Sequence, residues 1–404
     1  MDAGNGSEAQ PIEYEALAIG AQPVVTEVDT LRLLDMLEHL GADRGHSLGL
    51  AANQERGVEH LTPILAAFLC NVSDTTPSVE LQDRVALFDD CVRQYFKELT
   101  RAPRFVRTQV TANEPEAVLL GLATAVRRLQ HAPVYLGDRV DHAVLAAAVE
   151  LGAELVTVPT RPDGTMDAGE LRRAVLSRAD RGRREGAIVL ATCGTVATGA
   201  VDDIEALRTA ASAAGKVYVH TDATLGGMVA AHAPSEPAWS FPHGADSVSL
   251  SAHRLLGLPL PWSLTLSRTS ISTSPTAGPY TTAEGLFGPR TQLALATILV
   301  WAALRRLGRA GVAAYVNRCL ETAVYAQRRL SEAGAAPRRA PGSLTVTLPR
   351  PSSRLAERWH LAGSGDQVGV VCLGHVTYSA IDQFVGELEA EYDARGEVVV
   401  EPAA

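Results

Sequence analysis

The chain has 404 residues, of which 46% are apolar and 20% charged, and its formal charge is −10. That length builds a large core spread over two or three structural units, and the acidic balance excludes a phosphate-backbone binder, which needs clustered cations. The longest apolar stretch, residues 293–304, is too short to span a bilayer and reads as a buried helix.

The first ten residues, MDAGNGSEAQ, have no basic start and no apolar run, so they predict a floppy tail and not a signal peptide. Cysteines stand at 70, 91, 193, 319 and 372, with no C-x-x-C pair. Their odd count predicts reduced thiols in a cytoplasm, without a disulfide frame or a zinc site. From about Phe105 the chain alternates apolar runs with helical patterns. Strands are predicted at 132–137, 154–160, 187–192 and 216–222, and helices at 141–153, 167–180 and 202–215. Asp167 is a plausible N-cap of the second helix, and Asp202 or Asp203 of the third. The arginines of residues 171–185 read as a solvated helix face. Residues 249–268 predict a buried strand, a sharp turn and a second strand. Repeated β-α-β units with fully apolar strands predict a mostly parallel sheet covered on both faces, with ligands beyond the carboxyl ends of its strands. Helices at 291–307 and 313–334, the latter closed by Gly334, lead to strands at 343–348 and 367–373 and helices at 353–363 and 379–393. The organisation expected is a tail and helical segment (1–104), a large α/β domain (105–305) and a small α+β domain (306–404).

Three predicted strand ends carry the polar residues of interest: ATCGTVATGAVDD (191–203), VHTDATLGG (219–227) and SLSAHRLLGLPLPW (249–262). Asp222 follows an apolar strand and precedes a Gly-Gly pair. It reads either as a helix cap or Asx-turn, or as a carboxylate that pairs with the protonated ring nitrogen of a cofactor.

These segments, together with DGTMDAGELRRAV and FGPRTQLALATILVWAALRRLG, resemble the group II amino-acid decarboxylases that use pyridoxal phosphate, in particular the bacterial histidine decarboxylases. The likeness runs from about Asn71 to the last helix and is most specific over 155–265. It implies the fold type I architecture, α/β with a central mostly parallel sheet and a small C-terminal domain, and a two-fold dimer with active sites at the subunit interface. It implies that Asp222 pairs with the pyridinium nitrogen, and that Thr224, where the family usually has Ala, contacts the ring face. By the same resemblance His253 contacts the phosphate or substrate region, Ser251 stands at a position that is Ser or Asn in the family, and residues 288–290, ending in Arg290, stand for a Gly-Ser-Arg segment. Thr195 and Val196 replace a Thr-Thr pair. His142 matches the ring-stacking histidine if one gap is placed, Asp141 falls there without it, and His142 as a surface helix residue is an equal reading.

Where the family carries the lysine that joins the cofactor aldehyde, this chain has Arg254. A guanidinium stays protonated and has no nucleophilic lone pair. Lys216 begins a strand about one strand length from Asp222, and Lys97 lies in a helix far upstream. The family's glycine-rich phosphate loop is matched by TANEPEA (111–117), which has no glycine and sets Glu114 and Glu116 at a helix start, where they repel a phosphate dianion. Four readings follow. Arg254 bridges Asp222 in a pocket that has lost its cofactor. Or Arg254 binds a ligand carboxylate or phosphate, with His253 or His220 as acid or base. Or the cofactor binds without a covalent link. Or the chain is an ordinary histidine-like decarboxylase, a carboxy-lyase of amino-acid metabolism. The expectation carried forward is a divergent decarboxylase-fold protein with no covalently bound cofactor, repurposed for a small polar or carboxylated ligand. Its alternative is a non-catalytic partner or regulator of an active paralogue. It is expected in the cytoplasm, as a homodimer or a heterodimer with a paralogue, without nucleic-acid or membrane partners.

Overall fold

The computed structural model describes residues 30–31, 33–34, 43–55, 57, 61, 79–140, 142–180, 182, 185–195, 197–268, 293–363 and 365–395. Met1–Arg44 and Gly45–Ala404 are separate units, and the elements that follow all belong to the second. Its central sheet has seven strands: β1 (Arg107–Thr111), β2 (Val134–Gly137), β3 (Leu155–Val158), β4 (Ala187–Thr192), β5 (Val217–Ala223), β6 (Ser247–Ser251) and β7 (Ser263–Ser267). They lie in the order β1-β7-β6-β5-β4-β2-β3. β2 to β6 pair in parallel, and β7 runs antiparallel to both its neighbours, β1 and β6. The expected mostly parallel sheet is present, in an α/β fold. The exception at β7 follows from its connection: residues 252–262 are too few for a crossover, so the chain doubles back.

The helices are α1 (Val79–Leu99), α2 (Glu114–Arg128), α3 (His142–Glu150), α4 (Ala168–Ala179), α5 (Ile204–Ala211), α6 (Gly227–Ala230), α7 (His253–Leu256), α8 (Leu293–Glu332), α9 (Ser353–Arg358) and α10 (Tyr378–Arg395). Asp167 caps α4 and Asp203 caps α5, each accepting two first-turn N–H groups. Asp202 is not a cap. It is buried and accepts the N–H of Met166 at 2.7 Å and of Thr192 at 2.8 Å, which ties the start of α4 to the end of β4. The two helices expected after residue 291 form α8, interrupted at Gly308, whose φ of 65° is non-helical. Two further strands, β8 (Thr345–Pro349) and β9 (Gln367–Val371), pair antiparallel over a separate core that includes Val346, Trp359, Val370 and Phe384. The described cysteines 91, 193, 319 and 372 are free, and no described helix is long and apolar enough to cross a membrane.

Two contacts fix the parts that matter for the site. An extended strap at residues 47–55 joins the small sheet to α7. Leu48 accepts from Val371 N–H at 2.7 Å, while Asn53 donates its backbone N–H to Arg254 O at 2.7 Å and its side-chain amide to Leu255 O. Gly257 ends α7 at φ 65°, with the carbonyls of Asn53 and Glu55 pressed against it, so no side chain fits there. Under α2, His220 is fully buried, with Nδ1 2.8 Å from Ser247 Oγ and Nε2 3.3 Å from Ser249 Oγ. Ser249 and Thr265 both donate to Ala117 O of α2, at 2.9 and 2.7 Å. Gly121 of α2 lies on the imidazole itself.

A Cβ at Gly121 would overlap the His220 ring, so Gly121→Ala is expected to destabilise the chain by about 1–3 kcal/mol in a urea melt. Burial lowers the pKa of His220 from 6.5 to about 3. Between these values the unfolded imidazole binds a proton that the native one refuses, so stability falls as pH drops through this window. A His220→Asn variant is expected to lose that part of the pH–stability slope.

Candidate functional site

A cavity of about 210 Å³ opens beyond the carboxyl ends of β4 and β5, against the start of α2 and the α7 turn. Glu114, Arg139, Thr192, Thr195, Asp222 and Arg254 supply its polar walls. A parallel sheet places them together because residues at the ends of neighbouring strands emerge on one edge. Thr192 and Asp222 are paired in the register of β4 and β5.

Arg254 and Glu114 form the central contact. Arg254 Nε donates to Glu114 Oε1 at 2.6 Å, and His253 Nε2 lies 3.3 Å from the same oxygen. The Glu114 side chain is 16% exposed and that of Arg254 41%. Burial opposes ionisation of Glu114, but the hydrogen bond and charge of Arg254 outweigh it and hold its pKa below the usual carboxylate range. His253 goes the opposite way. Burial lowers its pKa, with Arg254 adding to the fall and Glu114 opposing it, so the ring is neutral at neutral pH. Its Nδ1 lies 2.9 Å from Ser251 Oγ and 3.3 Å from Trp262 N. Nδ1 also lies 3.3 Å from Trp262 O, so it accepts from Trp262 N–H in one tautomer and donates to Trp262 O in the other; the first puts the ring's proton on Nε2, facing Glu114.

The start of α2 is closed to outside anions by its own side chains. Asn113 Oδ1 accepts from Glu116 N–H at 2.9 Å, and Glu116 Oε2 accepts from Ala112 N–H at 2.7 Å. Pro115 has no N–H, and Ala117 N–H donates to Asn113 O. The Glu114 carboxylate takes a hydrogen bond from its own backbone.

Asp222 is 7% exposed, and its Oδ1 accepts from Thr224 N–H at 3.1 Å and Thr224 Oγ at 2.6 Å. This is the Asx-turn of the structural reading, and it also fixes the carboxylate on the cavity wall. The Asp222–Arg254 bridge, the first of the four readings, is not formed, because the first turn of α2 brings Glu114 to the guanidinium instead. Thr195 Oγ lies 2.8 Å from Thr198 Oγ and accepts from Ala200 N–H, which shapes the loop after β4.

Of the other candidate residues, His220 is sealed between α2 and the sheet, so it is a core residue and not an acid or base open to a ligand. Ser251 is buried behind His253, and His253 stands behind Glu114 and off the cavity wall. His142 is the first residue of α3. Asp141, Val196, Gly288 and Arg290 lie outside the described residues. Two wall residues do not stand out as ligands in the sequence. Glu114 there is only a charge that opposes a phosphate. Arg139, just past β2, is exposed and has no side-chain partner among the described residues. Its signal was available, since it follows an apolar strand as Asp222 does. Among the described residues no group of three or more His, Cys, Asp or Glu could hold a metal.

A family model described as the pyridoxal-dependent decarboxylase conserved domain matches residues 123–272. Histidine decarboxylase of Acinetobacter baumannii (strain ACICU) is 27% identical over 300 residues, covering 71% of this chain and 76% of that protein. Histidine decarboxylase of Pseudomonas entomophila (strain L48) is 25% identical over 375 residues, covering 91% of this chain and 92% of that protein. Among solved structures, L-methionine decarboxylase from Streptomyces sp.590, in its internal aldimine form, superposes with a TM-score of 0.82 at 18% identity, covering 95% of this chain and 98% of that one. The fold is thus the fold type I architecture.

Glu114→Gln removes the charge that supports protonation of His253, so the imidazole pKa is expected to fall further. A histidine NMR titration reads this directly, and an unmoved His253 signal would dissolve the pairing. The half-exposed guanidinium is screened by water, so the stability loss is expected to be only about 1 kcal/mol.

Proposed function

The chain belongs to the group II pyridoxal-phosphate-dependent decarboxylase family, and from that premise we propose that its site has left the family's covalent chemistry and binds a small carboxylated ligand. The observation that carries this reading is Arg254, which stands by resemblance at the lysine position and is held there by Glu114 at 2.6 Å.

Pyridoxal phosphate supplies an electron sink for amino-acid chemistry when its aldehyde is joined to an amine of the protein. One part of this site fits it: Asp222, fixed by Thr224, suits a pyridinium nitrogen. Two parts do not. The whole sequence has two lysines, Lys97 and Lys216. Lys97 lies in α1, and Lys216 precedes β5, six residues or roughly 20 Å of strand from Asp222. The phosphate end would meet the Glu114 carboxylate and a helix start whose donors are taken by Asn113 and Glu116. The residues present therefore do not fit the cofactor.

Two arginines on this wall offer donors to an anion, against the Asp222 carboxylate on the same wall. Only Nε of Arg254 is engaged, and the terminal nitrogens of its fork have no partner among the described residues. Arg139 adds a second cation to the same wall. A planar carboxylate meets such a fork with two parallel hydrogen bonds. His253 acts on Glu114, and through it on the aim of the guanidinium. The family's two-fold dimer, with a second copy or with an active relative, is part of the same proposal.

Purified protein mixed with pyridoxal phosphate is expected to show no aldimine absorbance and no adduct after borohydride reduction. Arg254→Lys alone is expected to leave cofactor binding weak, since the start of α2 is unchanged. Arg139→Gln, which breaks no contact among the described residues, is expected to weaken carboxylate binding at least tenfold without lowering the melting temperature. A stoichiometric pyridoxyl adduct on the native chain would sink the reading. Light scattering tests the dimer against the chain mass of 42.7 kDa.

A further inference from the structure

Beside the polar cavity lies a second, apolar one of about 80 Å³. Ala51, Gly194, Thr195, Leu225 and Arg254 line both, so the two share a wall with the guanidinium in it. The inner surface of the second cavity is formed by Val201, Leu225, Val229 and Ala230 on the side of the large sheet, and by Leu344 and Leu373 on the side of the small one. Two of its polar members, Ser343 and Thr195, have protein partners. Ser343 Oγ donates to Thr198 O at 2.9 Å and accepts from Thr345 N–H at 2.9 Å, and Thr195 Oγ is held by Thr198. Water gains little in a space whose polar atoms have protein partners, whereas apolar cavities stay dry and take up apolar guests. At about half the ~150 Å³ that accommodates benzene, this space suits a small branched alkyl group.

Resting on the carboxylate reading above, we infer that the ligand is a short aliphatic acid, with its carboxylate at Arg254 and Arg139 and its alkyl tail in the cavity between α6 and the small sheet. Arg254, common to both cavities, marks the boundary between head and tail. The tail cavity selects for length and bulk, and the head for charge.

Calorimetry on the full chain with acetate, butanoate, 4-methylpentanoate, decanoate and 4-methylpentanamide tests this. Each added methylene is expected to tighten binding about fourfold up to the branched acid, from the burial of one CH₂. Decanoate, too long for the space, is expected to bind more weakly than 4-methylpentanoate, and the amide to lose at least tenfold. Ala230→Leu, which fills the cavity, is expected to abolish the gain with length. Leu373→Ala, which enlarges it, is expected to move the optimum to a longer acid, and it serves if the first variant does not fold. Acids that bind with affinity independent of length would overturn the tail site and leave the carboxylate reading intact. Equal binding of acid and amide would overturn the carboxylate reading while the tail site survived. Binding by none of the acids would overturn both.

Discussion

The site is organised by one carboxylate. Glu114 Oε1 is shared by Arg254 Nε and His253 Nε2, and through it the first turn of α2 is tied to the α7 turn. Each partner is anchored from behind. α2 sits on the sheet through Ala117 O, which takes two hydroxyl donors, and through the close approach of Gly121 to His220. α7 is capped from the far side by Asn53, which satisfies the carbonyls of Arg254 and Leu255. An isolated ion pair at this exposure adds only ~0–1 kcal/mol to stability. Its consequence is positional: the guanidinium is aimed along the cavity wall with its outer donors left over.

Seen this way, the two departures from the decarboxylase pattern are one. A helix start favours an anion, and here the anions are the chain's own, Glu114 and Glu116. Glu114 removes the attraction for a phosphate dianion and at the same time supplies the counter-charge that a permanent cation at 254 requires. Two unit charges 4 Å apart interact by about 4 kcal/mol at the effective dielectric typical of such edges, so a dianion and Glu114 compete for one place. Arg254 and an acidic α2 start are mutually stabilising, as a lysine and a glycine-rich loop would be.

Much of the fold is legible from the sequence because its signals are local. The apolar runs of β2 to β5, the caps Asp167 and Asp203, and the helix breaks at Gly308 and Gly334 depend on residues a few positions away. Asp222, Thr195 and Arg254 are legible as strand-end residues of a parallel sheet. The Glu114–Arg254 contact is not, since its members are 140 residues apart. It depends on β1 standing beside β7, and β7 beside β6, an order that hydrophobic periodicity does not contain. The reading that bridges Arg254 to Asp222, a strand-end acid of the same sheet, therefore names the wrong partner. His220 shows the same gap. Its strand is evident from Val217 to Ala223, but the lid over its ring is Gly121, which only the packing of α2 reveals.

The apolar cavity bears on why such a pocket is kept open. An apolar pocket left unfilled forfeits the packing contacts its lining atoms would otherwise make. A single larger side chain at Ala230 or Ala233 would close it without a new polar demand, because Ser343 and Thr195 already have partners. The polar cavity sets two arginines, Arg139 and Arg254, against two carboxylates, Glu114 and Asp222, with Arg139 left without a partner among the described residues. A molecule with one negative end and one apolar end fills the apolar pocket and meets the unengaged nitrogens of Arg254 and Arg139. The same molecule leaves the floor untouched, because His220 and its hydroxyl neighbours beneath α2 are fixed whether or not the pocket is filled.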